Sequence, residues 1–128
     1  MLLRVIQGAP ETLGSWSALS PVASDLIRVE CLRVIDRART LQQVDDLVSS
    51  QHRSSVLAAL RAFSLAPVSS SILERAADPF PTAVGTLDAI HLATALQLRE
   101  EYPGLGFATH DRELAMAARA VGFEVEGA

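Results

Sequence analysis

The sequence predicts an α/β domain with a short parallel sheet flanked by helices. Short apolar runs of strand length alternate with segments of helical periodicity, and turn residues separate the two kinds of segment. Strands that alternate with helices in this way are usually joined by right-handed crossovers into a parallel sheet. A chain of 128 residues has the usual size of one domain. We therefore expect a single domain that covers residues 1–128.

The first 23 residues are predicted to hold one short helix and one short strand. Residues 2–7 are apolar with two polar interruptions, and Gly8 and Pro10 follow as a usual helix stop. A turn region rich in Gly, Ser and Pro comes next. Residues 19–23 then predict a short strand.

The next 40 residues predict a helical hairpin. Ser24 and Asp25 suit the start of a helix that runs to about residue 39 with apolar residues at helical spacing. Residues 40–43 form a capping box for another helix. A further helix is predicted over residues 54–63, after a polar break near His52.

The second half of the chain alternates between strands and helices. Capping residues, helical periodicity and β-rich runs give the bounds. The predicted elements are a strand over 65–68, a helix over 71–77, a helix over 87–101 capped by Thr86, a strand over 105–109, a helix over 111–121 and a strand over 123–125. The strand–helix alternation of this half is what most favours the parallel sheet.

The composition excludes several kinds of chemistry. All 11 basic residues are Arg, so lysine-dependent sites such as Walker A loops and pyridoxal Schiff bases are impossible. Cys31 is the single cysteine, so no internal disulfide can form, and a reducing cytoplasmic location is expected. No apolar run is long enough to span a membrane. The net charge of −4 argues against nucleic-acid binding by bulk positive potential alone.

Three carboxylates have positions that suit a functional site. Glu30 borders the apolar stripe of its predicted helix, Asp88 lies in the first turn of the most apolar helix, and Asp111 directly follows a strand. Each also has an ordinary structural explanation, and for Asp111 this is an N-cap. Taken together they converge, because strand-to-helix junctions meet at one edge of a parallel sheet. Clustered carboxylates repel one another, and Mg²⁺ or Mn²⁺ would relieve the repulsion and activate water for phosphodiester cleavage.

The segments around these acids resemble a known family. Their order and their separations of 58 and 23 residues are similar to those of the second, third and fourth acidic motifs of PIN-domain ribonucleases, above all the VapC-type toxins of bacterial toxin–antitoxin pairs. The matching segments are residues 24–30 (SDLIRVE), 87–95 (LDAIHLATA) and 107–115 (FATHDRELA). The resemblance covers nearly the whole chain and implies a PIN-like three-layer fold.

The resemblance also implies roles for individual residues. Glu30, Asp88 and Asp111 would be catalytic and metal-binding acids, with Asp88 and Asp111 the more direct ligands of Mg²⁺ or Mn²⁺ and Glu30 acting through water. Thr109 and Arg112 would support them or contact substrate. The substrate would be RNA, and the expected protein partner is a VapB-type antitoxin.

The chain departs from the family pattern at its start. Family members resemble one another in opening with a hydrophobic strand that ends in Asp-Thr-Ser, followed by a helix that begins like residues 2–5 here. On that comparison the first, central strand and its metal-binding aspartate are missing, either because an internal start codon was chosen or because the chain is truncated. Such a loss would leave unpaired sheet edges and favour a homodimer or partner binding. A catalytically impaired module that binds mainly its antitoxin is therefore the alternative.

Other polar residues are weaker candidates. His52 is expected at the surface, His91 as a hydrogen-bonded, half-buried residue and His110 as an exposed loop residue. A hydrolytic triad lacks a nucleophile elbow, and a nucleotide-binding domain lacks a glycine fingerprint. Four arginines of the Glu30 helix could contact RNA phosphates, although a solvated helix face is the more usual explanation. They are Arg28, Arg33, Arg37 and Arg39.

Overall fold

The protein is an α/β structure. The computed structural model describes residues 3–7 and 20–127. The strands in this part of the chain are β1 (Leu3–Gln7), β2 (Ser20–Ser24), β3 (Ser64–Ala66), β4 (Gly106–Thr109) and β5 (Val125–Glu126). The helices are α1 (Leu26–Thr40), α2 (Asp46–Leu60), α3 (Ser70–Ala77), α4 (Thr86–Glu101) and α5 (Arg112–Ala120).

The strands form one parallel sheet in the order β3-β2-β1-β4-β5. This confirms the predicted α/β class with a parallel sheet. β1 lies at the centre, where its backbone pairs with β2 on one side and β4 on the other. The register places Gln7 level with Thr109, at the carboxyl ends of β1 and β4.

The helix predicted over residues 2–7 was wrong, because Leu3–Gln7 is the central strand. A segment of five residues has too few turns for helical periodicity to decide its state, and Val5 and Ile6 are β-branched residues that suit a strand. Pairing on both sides then satisfies its backbone. The sequence comparison predicts that the central strand is missing. The structure does not show this loss, because β1 occupies the central position. The turn region predicted after residue 7 lies outside the described residues.

The helical hairpin is present, but its second helix differs from the prediction. α1 ends at Thr40, close to the predicted end, whereas α2 is one continuous helix over Asp46–Leu60. The expected capping box at residues 40–43 does not start a helix; the side chain of Asp45 caps α2 by accepting from the Val48 amide at 2.8 Å. The polar residues near His52 are the exposed face of this helix and not a break in it.

Two apolar clusters cover the two faces of the sheet. One joins α1 and α2 to Ala23 and Ala108, and the other joins α4 and α5 to Val22 and Phe107. Successive residues of β2 and of β4 thus point to opposite faces, as pleated strands require. The result is a three-layer arrangement of helices, sheet and helices. Because helices follow parallel strands, the first turns of α1 and α5 lie at the carboxyl edge of the sheet.

Candidate active site

Three helices bring the predicted acids to one edge of the sheet. α1 follows β2 and carries Glu30, while α5 follows β4 and begins directly after Asp111. α4 runs antiparallel to the β4 strand that follows it, so its first turn, with Asp88, also lies toward the carboxyl edge. The predicted convergence of Glu30, Asp88 and Asp111 follows from this topology.

Asp111 is the N-cap of α5 and is held from both sides. Its Oδ1 accepts hydrogen bonds from the Glu113 amide at 2.8 Å and the Leu114 amide at 3.0 Å. Its own backbone N–H donates to the hydroxyl of Thr109 at 3.0 Å, and Thr109 is fully buried. The capping explanation of Asp111 is therefore correct, and it leaves the other carboxylate oxygen outside these bonds. The Thr109 hydroxyl thus contacts the backbone of Asp111.

The raised pKa of Asp88 indicates that other acids lie close to it. It is partly buried in the first turn of α4, behind the N-cap Gly85. Burial raises the pKa of Asp88 above its usual value, and the charge of Asp111 raises this pKa further. Glu30 and Glu113 act in the same direction, whereas His91 opposes them. Charges interact in this way only over distances up to about a nanometre, so Asp111, Glu30 and Glu113 all lie near Asp88.

Glu30 contacts His91 across the site. The His91 Nε2 atom and the Glu30 Oε1 atom are hydrogen-bonded, and this contact joins α1 to α4. The Glu30 side chain is 21% exposed, whereas that of His91 is fully buried and not half-buried as expected. Glu30 lies beside the buried Ile27, as predicted, although Val34 on its other side is exposed.

The described acids offer oxygen ligands but no complete metal cage. Within residues 3–7 and 20–127, no three His, Cys, Asp or Glu side chains are placed to hold one ion. Mg²⁺ is commonly held by one or two carboxylates while it keeps several waters. Asp88 and the free oxygen of Asp111 therefore fit such an ion by their chemistry, and the mutual repulsion at Asp88 is what a cation would relieve.

The remaining predicted residues lie outside this group or at its rim. His52 and His110 are exposed, as expected, and His110 Nδ1 lies 2.7 Å from the Gly127 carbonyl oxygen. Arg112 is exposed in the first turn of α5. The arginines of α1 are also exposed, and two of them bind Asp36 in their own helix.

Sequence reasoning missed two members of the site. Glu113 lies in the first turn of α5, and its position two residues after Asp111 is the signal that could have placed it near the other acids. His91 was not linked to Glu30, because 61 residues separate them. A signal existed in its spacing of three residues from Asp88, which places both side chains on one face of α4.

Comparisons with known proteins support a family assignment. The family model described as the PIN domain matches residues 9–120, which is most of the chain. No curated protein matches the chain. None of the described helices is long and apolar enough to cross a membrane.

Proposed function

The chain belongs to the PIN domain family, whose members are generally metal-dependent nucleases, and on that premise we propose that it is an endoribonuclease that requires Mg²⁺ or Mn²⁺. It would act as a hydrolase on RNA phosphodiester bonds. One observation supports the proposal most strongly: besides burial, the charges of Asp111, Glu30 and Glu113 all raise the pKa of Asp88. Four carboxylates gathered at the edge of a parallel sheet are costly to the fold unless a cation or a reaction uses them.

Each residue of the site would have a separate role. Asp88 and Asp111 would hold the ion through carboxylate oxygens, and Glu30 would act on it through water. When bound, such an ion activates water and neutralises the charge that develops on the phosphodiester. Thr109 fixes the backbone of Asp111, and the two α5 amides fix its side chain. Arg112, exposed next to Asp111, is placed to contact an RNA phosphate.

Cleavage of a labelled RNA pool tests this function. The purified chain should cleave RNA in Mg²⁺ or Mn²⁺, stop in EDTA and resume when the metal is returned. Asp88→Asn should abolish cleavage, since it removes a charged ligand without changing the size of the side chain. Glu101→Gln is the matched control, because it neutralises another acid of α4 about 20 Å further along the helix. Cleavage that persists in EDTA would contradict the proposal.

We further propose that the nuclease is a VapC-type toxin, active in the cytoplasm and silenced by a VapB-type antitoxin. The motifs of residues 24–30, 87–95 and 107–115 support this narrower assignment. Expression of the chain should arrest bacterial growth, and Asp88→Asn should relieve the arrest. Growth arrest by both forms would contradict a toxin that acts through its nuclease site. A homodimer is expected, and sedimentation of the purified chain tests it.

A second candidate is a catalytically impaired module that acts mainly by binding the antitoxin. It is favoured by the sequence of β1, LRVIQ, which contains no acid at the centre of the sheet. An apolar groove of about 280 Å³ between α1 and α2, lined by Val34, Ile35 and Val56 among others, is a candidate contact surface for such a partner. Gln7→Asp separates the candidates, since it places an acid at the carboxyl end of the central strand, level with Thr109. A large gain in Mn²⁺ affinity and RNA cleavage would favour the impaired module, whereas an active wild type that gains nothing would exclude it.

A further inference from the structure

His91 is the only histidine, acid or arginine that is fully buried among the side chains described between residues 21 and 127. Its Nε2 atom meets the Glu30 carboxylate, and its Nδ1 atom is buried without a hydrogen-bond partner. Burying a ring with one unpaired polar atom costs more folding free energy than burying an apolar side chain of similar size. Core packing alone therefore does not explain a histidine at this position.

The contact fixes which ring nitrogen carries the proton. An ionised carboxylate can only accept, so Nε2 donates its hydrogen to Glu30 Oε1. In the neutral ring, Nδ1 is then a bare acceptor, and a buried acceptor without a partner is tolerated more readily than a buried N–H. The ring lies in a fully buried part of α4, since Leu92 and Ala95 are also fully buried. His91 thus presents one fixed donor to Glu30.

We propose that His91 is a positioning residue that holds the Glu30 carboxylate beside Asp88 and Asp111 as an acceptor for a metal-bound water and not as a direct ligand. His91 lies three residues after Asp88 on α4, so one helix carries a direct ligand and the group that orients the more distant acid. This inference rests on the proposed metal site.

Partners of this kind change metal affinity through the acid that they orient. Loss of a group that hydrogen-bonds a ligating residue typically weakens metal binding 10–100-fold, and for His91, whose partner Glu30 acts through water, we expect a loss of about tenfold. His91→Leu keeps an apolar side chain of similar size and removes the donor. His91→Gln keeps an N–H at the reach of Nε2 but has no ring. The pair of variants therefore separates loss of the donor from loss of the ring.

Calorimetric titration of Mn²⁺ into the full chain tests the inference, with circular dichroism to verify folding. His91→Leu should weaken Mn²⁺ binding about tenfold, whereas His91→Gln should bind Mn²⁺ within about threefold of the wild type. In a Glu30→Gln background, His91→Leu should add no further loss. Equal affinities for the wild type and His91→Leu, or a loss in His91→Gln as large as in His91→Leu, would overturn the inference.

The RNA cleavage assay distinguishes this failure from failure of the proposed function. If the wild type binds Mn²⁺ and cleaves RNA while the His91 variants bind equally well, only the positioning role is wrong. If the expected order of Mn²⁺ affinities is found but RNA stays intact, the positioning role stands and the ribonuclease is wrong. A wild type that binds no Mn²⁺ overturns both. Should His91→Leu fail to fold, the comparison of His91→Gln with Glu30→Gln remains: similar Mn²⁺ losses in both would overturn the positioning role.

Discussion

Substitution of Asp111 separates its structural role from its charge. Asp111 caps α5, because its Oδ1 atom accepts hydrogen bonds from two backbone amides of the first turn. Replacing an aspartate N-cap with alanine typically costs about 1 kcal/mol of stability. Asn caps about as well as Asp, so Asp111→Asn should retain the cap. Both variants lack the charge that raises the pKa of Asp88. The difference in stability between Asp111→Ala and Asp111→Asn therefore isolates the cap.

Urea unfolding at pH 7 in EDTA, followed by circular dichroism, measures this difference. Asp111→Ala should be less stable than Asp111→Asn by about 1 kcal/mol, which corresponds to roughly 3–5 °C in Tm for a chain of this length. Asp111→Asn should be at least as stable as the wild type, because the repulsion toward Asp88 is removed without loss of the cap. Both variants should lose Mn²⁺ binding. Equal stability of the two variants would refute the capping role assigned to the side chain.

Four further predictions concern charge, packing and metal binding. The pKa of Asp88 is raised in the folded state, so the metal-free wild type should lose stability relative to Asp88→Asn as the pH rises from about 4 through that pKa. Urea unfolding of both proteins at a series of pH values checks this. Mn²⁺ should raise the Tm of the wild type but not that of Asp88→Asn, and equal shifts would remove Asp88 from the site. Phe107→Ala should cost about 3–5 kcal/mol in unfolding free energy, since the ring is fully buried against Phe123 with centroids 5.8 Å apart. Gly122→Ala should cost about 1 kcal/mol, since its φ is +97° and an added Cβ would lie 3.3 Å from Arg99, and an unchanged Tm would contradict that.

The sequence predicts the C-terminal half of the fold well. α4, β4 and α5 were expected within one or two residues of their bounds, because strong periodicity, strand length and Gly122 all point the same way. The N-terminal strand could not be predicted from its own residues. β1 is stabilised by pairing with β2 and with β4, and β4 lies near the other end of the chain. The local sequence of β1 carries no information on that pairing.

The error in α2 has a different cause. The polar residues near His52 predict a break between two helices. Residues 50–55 instead form the solvent side of one continuous helix, whose buried residues are Ser49, Val56 and Leu60. A narrow apolar stripe of this kind is difficult to recognise from periodicity when serines occupy buried positions. The cap at Asp45 was the stronger local signal.

The candidate site was partly predictable. Each acid stood at a junction that parallel topology sends to one edge, so their convergence followed from the fold class. The hydrogen bond between Glu30 and His91 did not follow from the fold class, because it depends on how α1 and α4 pack against each other. Chain order and spacing fix neither the distance nor the burial of such a pair.

The dependence of RNA cleavage on Mn²⁺ tests the central claim most directly, when it is measured under single-turnover conditions for the wild type, Asp88→Asn and Glu101→Gln. The acid cluster predicts that the wild type and Glu101→Gln share one saturable dependence on Mn²⁺. Asp88→Asn should remain at the background rate at every metal concentration. Equal cleavage by Asp88→Asn, or wild-type cleavage that does not change with Mn²⁺, would contradict a nuclease built on these carboxylates.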